Sequence, residues 1–294
     1  MTGIQTSDNT DMDVSKKLAS LEGEEFATEI PAILRTARDT DSGKDCDDSE
    51  NDFIRAIRLR AADAPVISCL SSILTSPIED GDFTSLEMHR LLLHSIISKL
   101  SLEQLQPYRP AIKTLMAFDI SSFKARSGHY AKSMHLINNA RLLDRFIENP
   151  EDVWVPEDKF DYISYRTLWE RVHTAEQMRP YMRDLFNWQV DPCHPPFNPC
   201  RRQLARFPEV AAEVAAEVMC MAVDDTEHQH YLIDFVSECV PVGKAWYPMR
   251  PPVEQMVQTL ECKTKEQLEH DGEGDYLDEA KTWLKVLENW ERNS

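Results

Sequence analysis

The density of proline near the middle of the chain constrains its fold more than any other feature. The prolines concerned are Pro192, Pro195, Pro196 and Pro199. Because proline fixes φ and lacks an N–H group, no helix should run through the stretch 184–202. Helix-patterned sequence lies on both sides of this stretch. We therefore predict a stiff connector between two helical halves, residues 52–190 and 191–294, with one continuous domain over 52–294 as the alternative.

A shortage of glycine extends this argument to the whole chain. The 294 residues include only 8 glycines, against roughly 7% in an average protein. Glycine supplies the positive-φ positions of hairpins and phosphate-binding loops, so β-rich and nucleotide-cradling folds are disfavoured. The sequence predicts an all-α fold, either a multi-helix bundle or a short array of helical hairpins.

Residues 1–51 are polar and acidic, and 39–51 carry almost no apolar side chain. Such composition is typical of disorder, so we predict a largely disordered acidic arm. Within it, one helical face is apolar, formed by Phe26, Ile30, Ile33, Leu34 and Ala37. This pattern predicts a short helix that either docks on the protein's own core or folds into a partner's groove.

Two Ser/Thr-x-x-Glu/Gln patterns predict helix starts further along the chain. Thr84 with Glu87, and Ser101 with Gln104, have the spacing of a capping box. Apolar periodicity then predicts a helical hairpin from Pro110 to Ile147. Within it, the segment 128–134, followed by Asn139-Ala140 and Asn149-Pro150, resembles the inter-helix part of one tetratricopeptide unit. The resemblance implies a helical repeat, and a generic helical hairpin is the alternative that we favour.

One basic segment interrupts an acidic chain of net charge −19. That overall charge repels nucleic acid and anionic lipid, so a nucleic-acid partner is disfavoured. Between residues 101 and 147, however, bases outnumber acids. This segment is either a solvated face neutralised by the protein's own acids or a docking patch for an acidic or phosphorylated segment of a partner protein. The basic residues are Arg109, Lys113, Lys124, Arg126, Lys132, Arg141 and Arg145.

Two clusters carry residue types that bind metals. Cys193, His194 and Cys200 lack the close Cys-x₂₋₄-Cys pair that is typical of zinc sites. His228 and His230 project from a helix about 200° apart, so they cannot bind one ion from one face. We predict no metal site and no cofactor, although whether the Cys193 cluster binds metal stays open.

Motifs of catalysis are absent from the sequence. It contains no Gly-x-Ser-x-Gly, no P-loop, no Gly-x-Gly-x-x-Gly and no His-Glu-x-x-His, and we predict no catalytic residues. The leading hypothesis is therefore a protein-interaction or adaptor module without catalytic activity. The alternative is a helical enzyme or small-ligand binder with a pocket between the halves, near Trp188, His194, Asp224 and His228.

Cysteine usage and hydropathy predict where such a module works. The seven cysteines are an odd number scattered along the chain, and the N-terminus lacks the charged and apolar regions of a signal peptide. The longest apolar runs fall far short of the ~20 residues of a membrane span. We expect an intracellular protein, cytoplasmic or nuclear, whose partner is another protein and which does not contact a membrane.

Overall fold

The computed structural model describes residues 21–41, 52–121, 123 and 128–294, with only the backbone described for 37–41. All regular structure in these ranges is helical, and no strand occurs among them. The predicted all-α fold is therefore confirmed. No helix within the described ranges is long and apolar enough to cross a membrane. The chain divides into two compact units, Met1–Pro150 and Glu151–Ser294.

The first unit contains seven α-helices in its described part. A π-helical turn, Leu92–Ile96, and two 3₁₀ turns, Ile97–Lys99 and Gln106–Tyr108, lie between them. The α-helices are α1 (Gly23–Asp41), α2 (Asp52–Leu59), α3 (Ala64–Thr75), α4 (Phe83–Leu91), α5 (Leu102–Leu105), α6 (Arg109–Met116) and α7 (Gly128–Glu148).

Helix α1 belongs to the core of the first unit. Its Phe26, Ile30 and Leu34 side chains are almost fully buried, and the helix packs on α3 and α4. It continues through Pro31. Of the apolar face seen in the sequence, Phe26, Ile30, Ile33 and Leu34 are buried in the protein's own core, and the side chain of Ala37 lies outside the described residues. The remainder of the predicted disordered arm, residues 1–20 and 42–51, lies outside the described residues.

The predicted hairpin between Pro110 and Ile147 is present as α6 packed along α7. Tyr108, just before α6, is fully buried and donates its hydroxyl hydrogen to the Ala61 carbonyl oxygen at 2.6 Å. The hairpin is thereby tied to the turn that follows α2.

The second unit contains eight α-helices and one 3₁₀ helix, Lys244–Met249. The 3₁₀ helix packs against α11. The α-helices are α8 (Ile163–Arg171), α9 (Ala175–Phe186), α10 (Phe197–Leu204), α11 (Pro208–Met221), α12 (Thr226–Cys239), α13 (Arg250–Glu261), α14 (Lys265–Asp271) and α15 (Gly274–Asn293).

One apolar core joins the helices on both sides of the proline stretch. Met182 and Phe186 precede the prolines, and they share this core with Val218, Phe235 and Trp283. The Phe186 and Phe235 rings meet edge to face with centroids 5.2 Å apart. The two compact units meet at 150/151, whereas the sequence analysis placed the division between helical halves at 190/191, with one continuous domain over 52–294 as the alternative. Proline density marked a break between helices, which here falls inside a unit.

The connector itself is shorter than the predicted stretch 184–202. Helix α9 ends at Phe186 and α10 begins at Phe197, with Pro199 inside its first turn. First-turn N–H groups have no partner within a helix, so a proline there costs no hydrogen bond. The buried Gln189 amide donates to the Phe197 carbonyl oxygen at 2.7 Å and fastens the connector to α10.

Candidate functional site

Two side chains of the predicted basic patch are paired inside the first unit. Arg109 lies 2.8 Å from Asp144 and 2.9 Å from Glu148. The hydrogen bonds that the Arg109 guanidinium donates to these two carboxylates raise the pKa of Arg109. Lys132 reaches across to α4 and lies 2.6 Å from a Glu87 carboxylate oxygen. These two cations therefore serve contacts between helices.

The pKa of the Glu87 carboxyl group is lowered by the two cations beside it, Lys132 and Arg90. Burial acts to raise the pKa of Glu87, but the hydrogen bond from Lys132 and the charges of Arg90 and Lys132 outweigh it and the pKa is lowered. Arg90 itself lies 2.7 Å from the same carboxylate. The carboxylate that faces Lys132 is thus held in its charged form.

The other members of the patch differ in exposure. Lys113 and Arg141 are exposed, and neither forms an ion pair with any described residue. Arg145 is half-buried, and Lys124 and Arg126 lie outside the described residues. The exposed part of the patch is therefore Lys113 and Arg141, and its role in docking stays a prediction.

The four residues of the predicted pocket all lie in the second unit. Trp188 Nε1 donates to the Pro156 carbonyl oxygen at 3.2 Å. His228 is buried, and its Nε2 is 3.1 Å from the Phe186 carbonyl oxygen, so Nε2 carries the hydrogen. His194 and Asp224 are exposed. No hydrogen bond or ion pair joins any two of these four described side chains.

The cysteine cluster is divided between surface and core. Cys193 is exposed, whereas Cys200 is fully buried, and burial raises the pKa of the Cys200 thiol to about 12. Among the described residues, no group of three or more His, Cys, Asp or Glu side chains is placed to hold a metal ion.

A cluster that the sequence did not reveal lies where α12 packs against α15. The His230 ring stacks on Tyr276 with centroids 4.4 Å apart and an interplanar angle of 18°. Its Nδ1 lies 2.9 Å from a Glu279 carboxylate oxygen. The Tyr231 ring also lies next to the His230 ring, with centroids 5.1 Å apart. We call this surface the aromatic–carboxylate patch and define it as Phe197, Glu227, His230, Tyr231, Tyr276 and Glu279.

Negative charge surrounds the phenols of this patch. Burial, then Glu227, Tyr276 and Asp191, raise the pKa of Tyr231. Burial, then Glu227 and Glu279, raise the pKa of Tyr276. Glu227 lies one turn before Tyr231 on α12, and its charge contributes to the raised pKa of both phenols.

Helical geometry explains why the sequence could indicate only the part of this cluster that lies on α12. His228 points inward to Phe186 of α9 and His230 points to α15, as expected for positions two apart on a helix. Tyr276 and Glu279, however, come from a helix that is distant in sequence. Their apposition depends on how α12 packs against α15, which no local pattern shows.

A second surface of this unit is apolar and centred on Trp290. The half-buried Trp290 ring contacts Tyr247 with centroids 6.1 Å apart. Val286 lies one turn before Trp290 on α15, on the same helix face. Gly243 lies against the other side of the patch, since a Cβ atom added to it would lie 3.8 Å from the Trp290 ring. Val242, Tyr247 and Val286 are exposed at 41%, 41% and 39%. We call Val242, Tyr247, Val286 and Trp290 the apolar patch.

The backbone beneath the apolar patch is well anchored. Arg250 at the start of α13 donates to both carboxylate oxygens of Glu291, at 3.0 and 3.2 Å. Trp246 and Trp283 stack in the core below, with centroids 4.8 Å apart. The 3₁₀ helix and the end of α15 therefore present the patch as a preformed surface.

One known family model is similar to part of the second unit. Residues 154–284 match the model of a domain of unknown function, DUF5071. No curated protein and no solved structure gave a significant match. The aromatic–carboxylate patch lies entirely within the matched range, whereas Val286 and Trp290 of the apolar patch lie beyond it.

Proposed function

We propose that this protein is a protein-interaction module without catalytic activity, and that the apolar patch is its main binding surface. The observation that carries the proposal is the grouping of exposed Val242, Tyr247 and Val286 around one tryptophan. Contiguous exposed apolar patches mark interaction sites more often than scattered apolar residues do. Tyrosine and tryptophan also dominate the residues that carry binding energy at interfaces.

Anchoring of the patch supports the same function. Ordering flexible loops on binding reduces affinity, and the Arg250–Glu291 pair holds the two contributing elements together before any partner arrives. Lys113 and Arg141 of the first unit form a separate surface that suits an acidic or phosphorylated segment of a partner protein.

The cellular setting of the proposed module is the cytoplasm or nucleus. All six cysteines within the described ranges are free thiols, which is the usual state of cysteines in reducing compartments. The competing function, an enzyme or small-ligand binder near Trp188, has less support. Trp188 and His228 already donate to backbone carbonyl groups of their own unit.

Affinity purification from the native cell tests the proposal with matched variants. The double substitution Tyr247→Asp, Val286→Asp places charge in the apolar patch. The control, Gln255→Asp, Gln258→Asp, adds the same charge at exposed positions of α13. We expect the amount of stoichiometric partner captured by the patch variant to fall by at least about tenfold, because charge in an interface core is strongly unfavourable.

The control variant should retain the partner at the wild-type level. Both variants should keep wild-type helicity by circular dichroism, because all four positions are on the surface. Equal retention by the patch and control variants, or no stoichiometric partner with wild-type protein, would contradict the proposal.

A further inference from the structure

We infer that the aromatic–carboxylate patch binds cationic side chains of a basic peptide segment. This inference concerns a second surface of the second unit and fixes the chemistry of its ligand. It does not depend on the apolar patch, so the two proposals can fail separately.

The first step is the combination of an available carboxylate with ring faces. Glu227 is exposed, forms no ion pair with any described residue, and lies one turn before Tyr231 on α12. The His230 ring next to it contacts both Tyr231 and Tyr276, and the charge of Glu227 helps to raise the pKa of both phenols. Both phenol rings are half-buried, so part of each remains at the surface. A guanidinium or ammonium group that sits over such a ring gains from the ring quadrupole as well as from the neighbouring carboxylate.

The second step is that neighbouring cations do not cancel this potential. Arg201 on α10 is held by Asp234 at 2.9 Å and Glu238 at 2.8 Å. Lys263, just after α13, is held by Asp271 at 3.2 Å and by Glu273. Each cation is matched by two carboxylates of its own, which leaves the charge of Glu227 available to a partner.

The third step is the choice between a metal ion and an organic cation. Within the described ranges no three potential metal ligands converge, and His230 Nδ1 with Glu279 already forms a contact of hydrogen-bond length. Aromatic surfaces, by contrast, favour arginine and lysine side chains. Phe197 packs edge to face against Tyr231 at 5.7 Å and fixes the orientation of that ring.

The fourth step is charge complementarity at long range. Residues 151–294 carry 28 acidic and 15 basic side chains, a net charge of −13. A field of this sign speeds the approach of a basic segment and disfavours acidic ones. The tyrosine rings and Glu227 of the patch then provide specific contacts for the cationic side chain, which the overall negative charge alone does not provide.

Fluorescence anisotropy with the full-length protein tests the inference. The probe is a labelled peptide of alternating arginine and serine, and a peptide with glutamate in place of arginine is the control probe. We expect Glu227→Gln and Tyr276→Leu each to weaken binding of the arginine peptide by about three- to fivefold. Tyr276→Phe keeps the ring and should bind within about twofold of wild type.

Two control variants distinguish binding at this patch from binding by the overall negative charge and from binding at the apolar patch. Glu209→Gln removes an exposed carboxylate of α11 and should leave the affinity within about twofold of wild type. The apolar-patch variant Tyr247→Asp, Val286→Asp should also bind the peptide at least as well as wild type.

Several results would overturn the inference. One is an equal loss of affinity in Glu209→Gln and Glu227→Gln, which would indicate diffuse electrostatics. Others are Tyr276→Phe binding as weakly as Tyr276→Leu, or no binding of the arginine peptide by wild-type protein. Circular dichroism of each variant confirms that the fold is retained, and NMR chemical shifts of the tyrosine rings place the peptide at the patch.

Discussion

Arg206 satisfies the end of α8 from a neighbouring element. Its guanidinium donates to the Leu168 carbonyl oxygen at 2.9 Å and to that of Val172, and it also reaches the Gln203 side chain. The Leu168 carbonyl oxygen also accepts from the Val172 N–H at 3.2 Å, so Arg206 adds a second donor there and supplies a donor to the Val172 carbonyl oxygen, just after the end of α8. The Arg206 guanidinium also lies over the exposed Trp169 ring, 4.8 Å from the centroid.

Replacing this guanidinium should reveal the cost of losing its hydrogen bonds to the end of α8. We expect Arg206→Lys to lower the free energy of unfolding by about 1–3 kcal/mol, because an ammonium group cannot reproduce the planar fork. Urea denaturation followed by circular dichroism measures the change. Arg183→Lys, at an exposed position in the last turn of α9, is the control, and equal effects of the two substitutions would argue against the assignment.

Glu227 offers a residue-scale test of the aromatic–carboxylate patch without any ligand. Its charge raises the pKa of both Tyr231 and Tyr276, so Glu227→Gln should lower both values. The pKa of Tyr108 is raised by burial and by charges elsewhere, and it should not change. Titration of ¹³Cζ-labelled tyrosine by NMR measures all three.

The sign of the accompanying stability change follows from the same shifts. A raised phenol pKa in the folded state means that the unfolded chain loses its protons first as the pH rises through its own pKa near 10. The free energy of unfolding therefore falls above that pH, and Glu227→Gln should reduce the fall. Unchanged tyrosine titrations in this variant would show that Glu227 does not face the two rings.

At the scale of elements, helix starts show which sequence signals are reliable. The capping box at Ser101 and Gln104 is confirmed, with both reciprocal hydrogen bonds present. The one at Thr84 and Glu87 is wrong. Helix α4 begins at Phe83 and its N-cap is Asp82, two residues before Thr84, and Glu87 pairs with Arg90 and Lys132 instead. A pattern of residue types could not choose between two cap candidates that lie two residues apart.

This correction makes a paired prediction on one helix. Asp82 accepts a hydrogen bond from the Ser85 N–H at 3.0 Å, so Asp82→Ala should lower the free energy of unfolding by about 1 kcal/mol. Thr84 is exposed inside the first turn, and Thr84→Ala should change it by less than about 0.5 kcal/mol. Urea denaturation compares the two, and a larger loss in Thr84→Ala would contradict the cap assignment.

Local sequence patterns predicted the helices better than they predicted the contacts between helices. The buried face of α1 and the hairpin of α6 and α7 follow from apolar spacing, which reports on one helix at a time. The aromatic–carboxylate patch and the Arg250–Glu291 pair each join residues more than 30 positions apart. Such contacts depend on packing between helices, so composition and periodicity carried no signal for them.

At the scale of the molecule, the position of the unit boundary has a direct consequence. The core of the second unit includes side chains from α8 and α9, which precede the prolines, and a fragment that begins at residue 191 would lack all of them. Each buried apolar side chain contributes about 1.5–3 kcal/mol, so their combined loss is comparable to the whole stability of a domain. The side chains concerned are Leu168, Met178, Met182, Leu185 and Phe186.

We therefore expect the fragment 151–294 to unfold cooperatively and the fragment 191–294 to lack a cooperative transition. Circular dichroism melting and near-ultraviolet spectra of the two fragments measure this difference. Cooperative unfolding of 191–294 alone would instead support the boundary at 190/191 that the proline stretch first indicated.

The most direct test of the interaction surface is cross-linking mass spectrometry on the full-length protein captured with its partner. Lys244 and Lys285 are exposed and flank the apolar patch in sequence, beside Gly243 and Val286. If the apolar patch is the binding surface, amine-reactive cross-links to the partner should start from these two lysines. Partner cross-links that start only from lysines of the first unit, such as Lys113 and Lys132, would contradict the account.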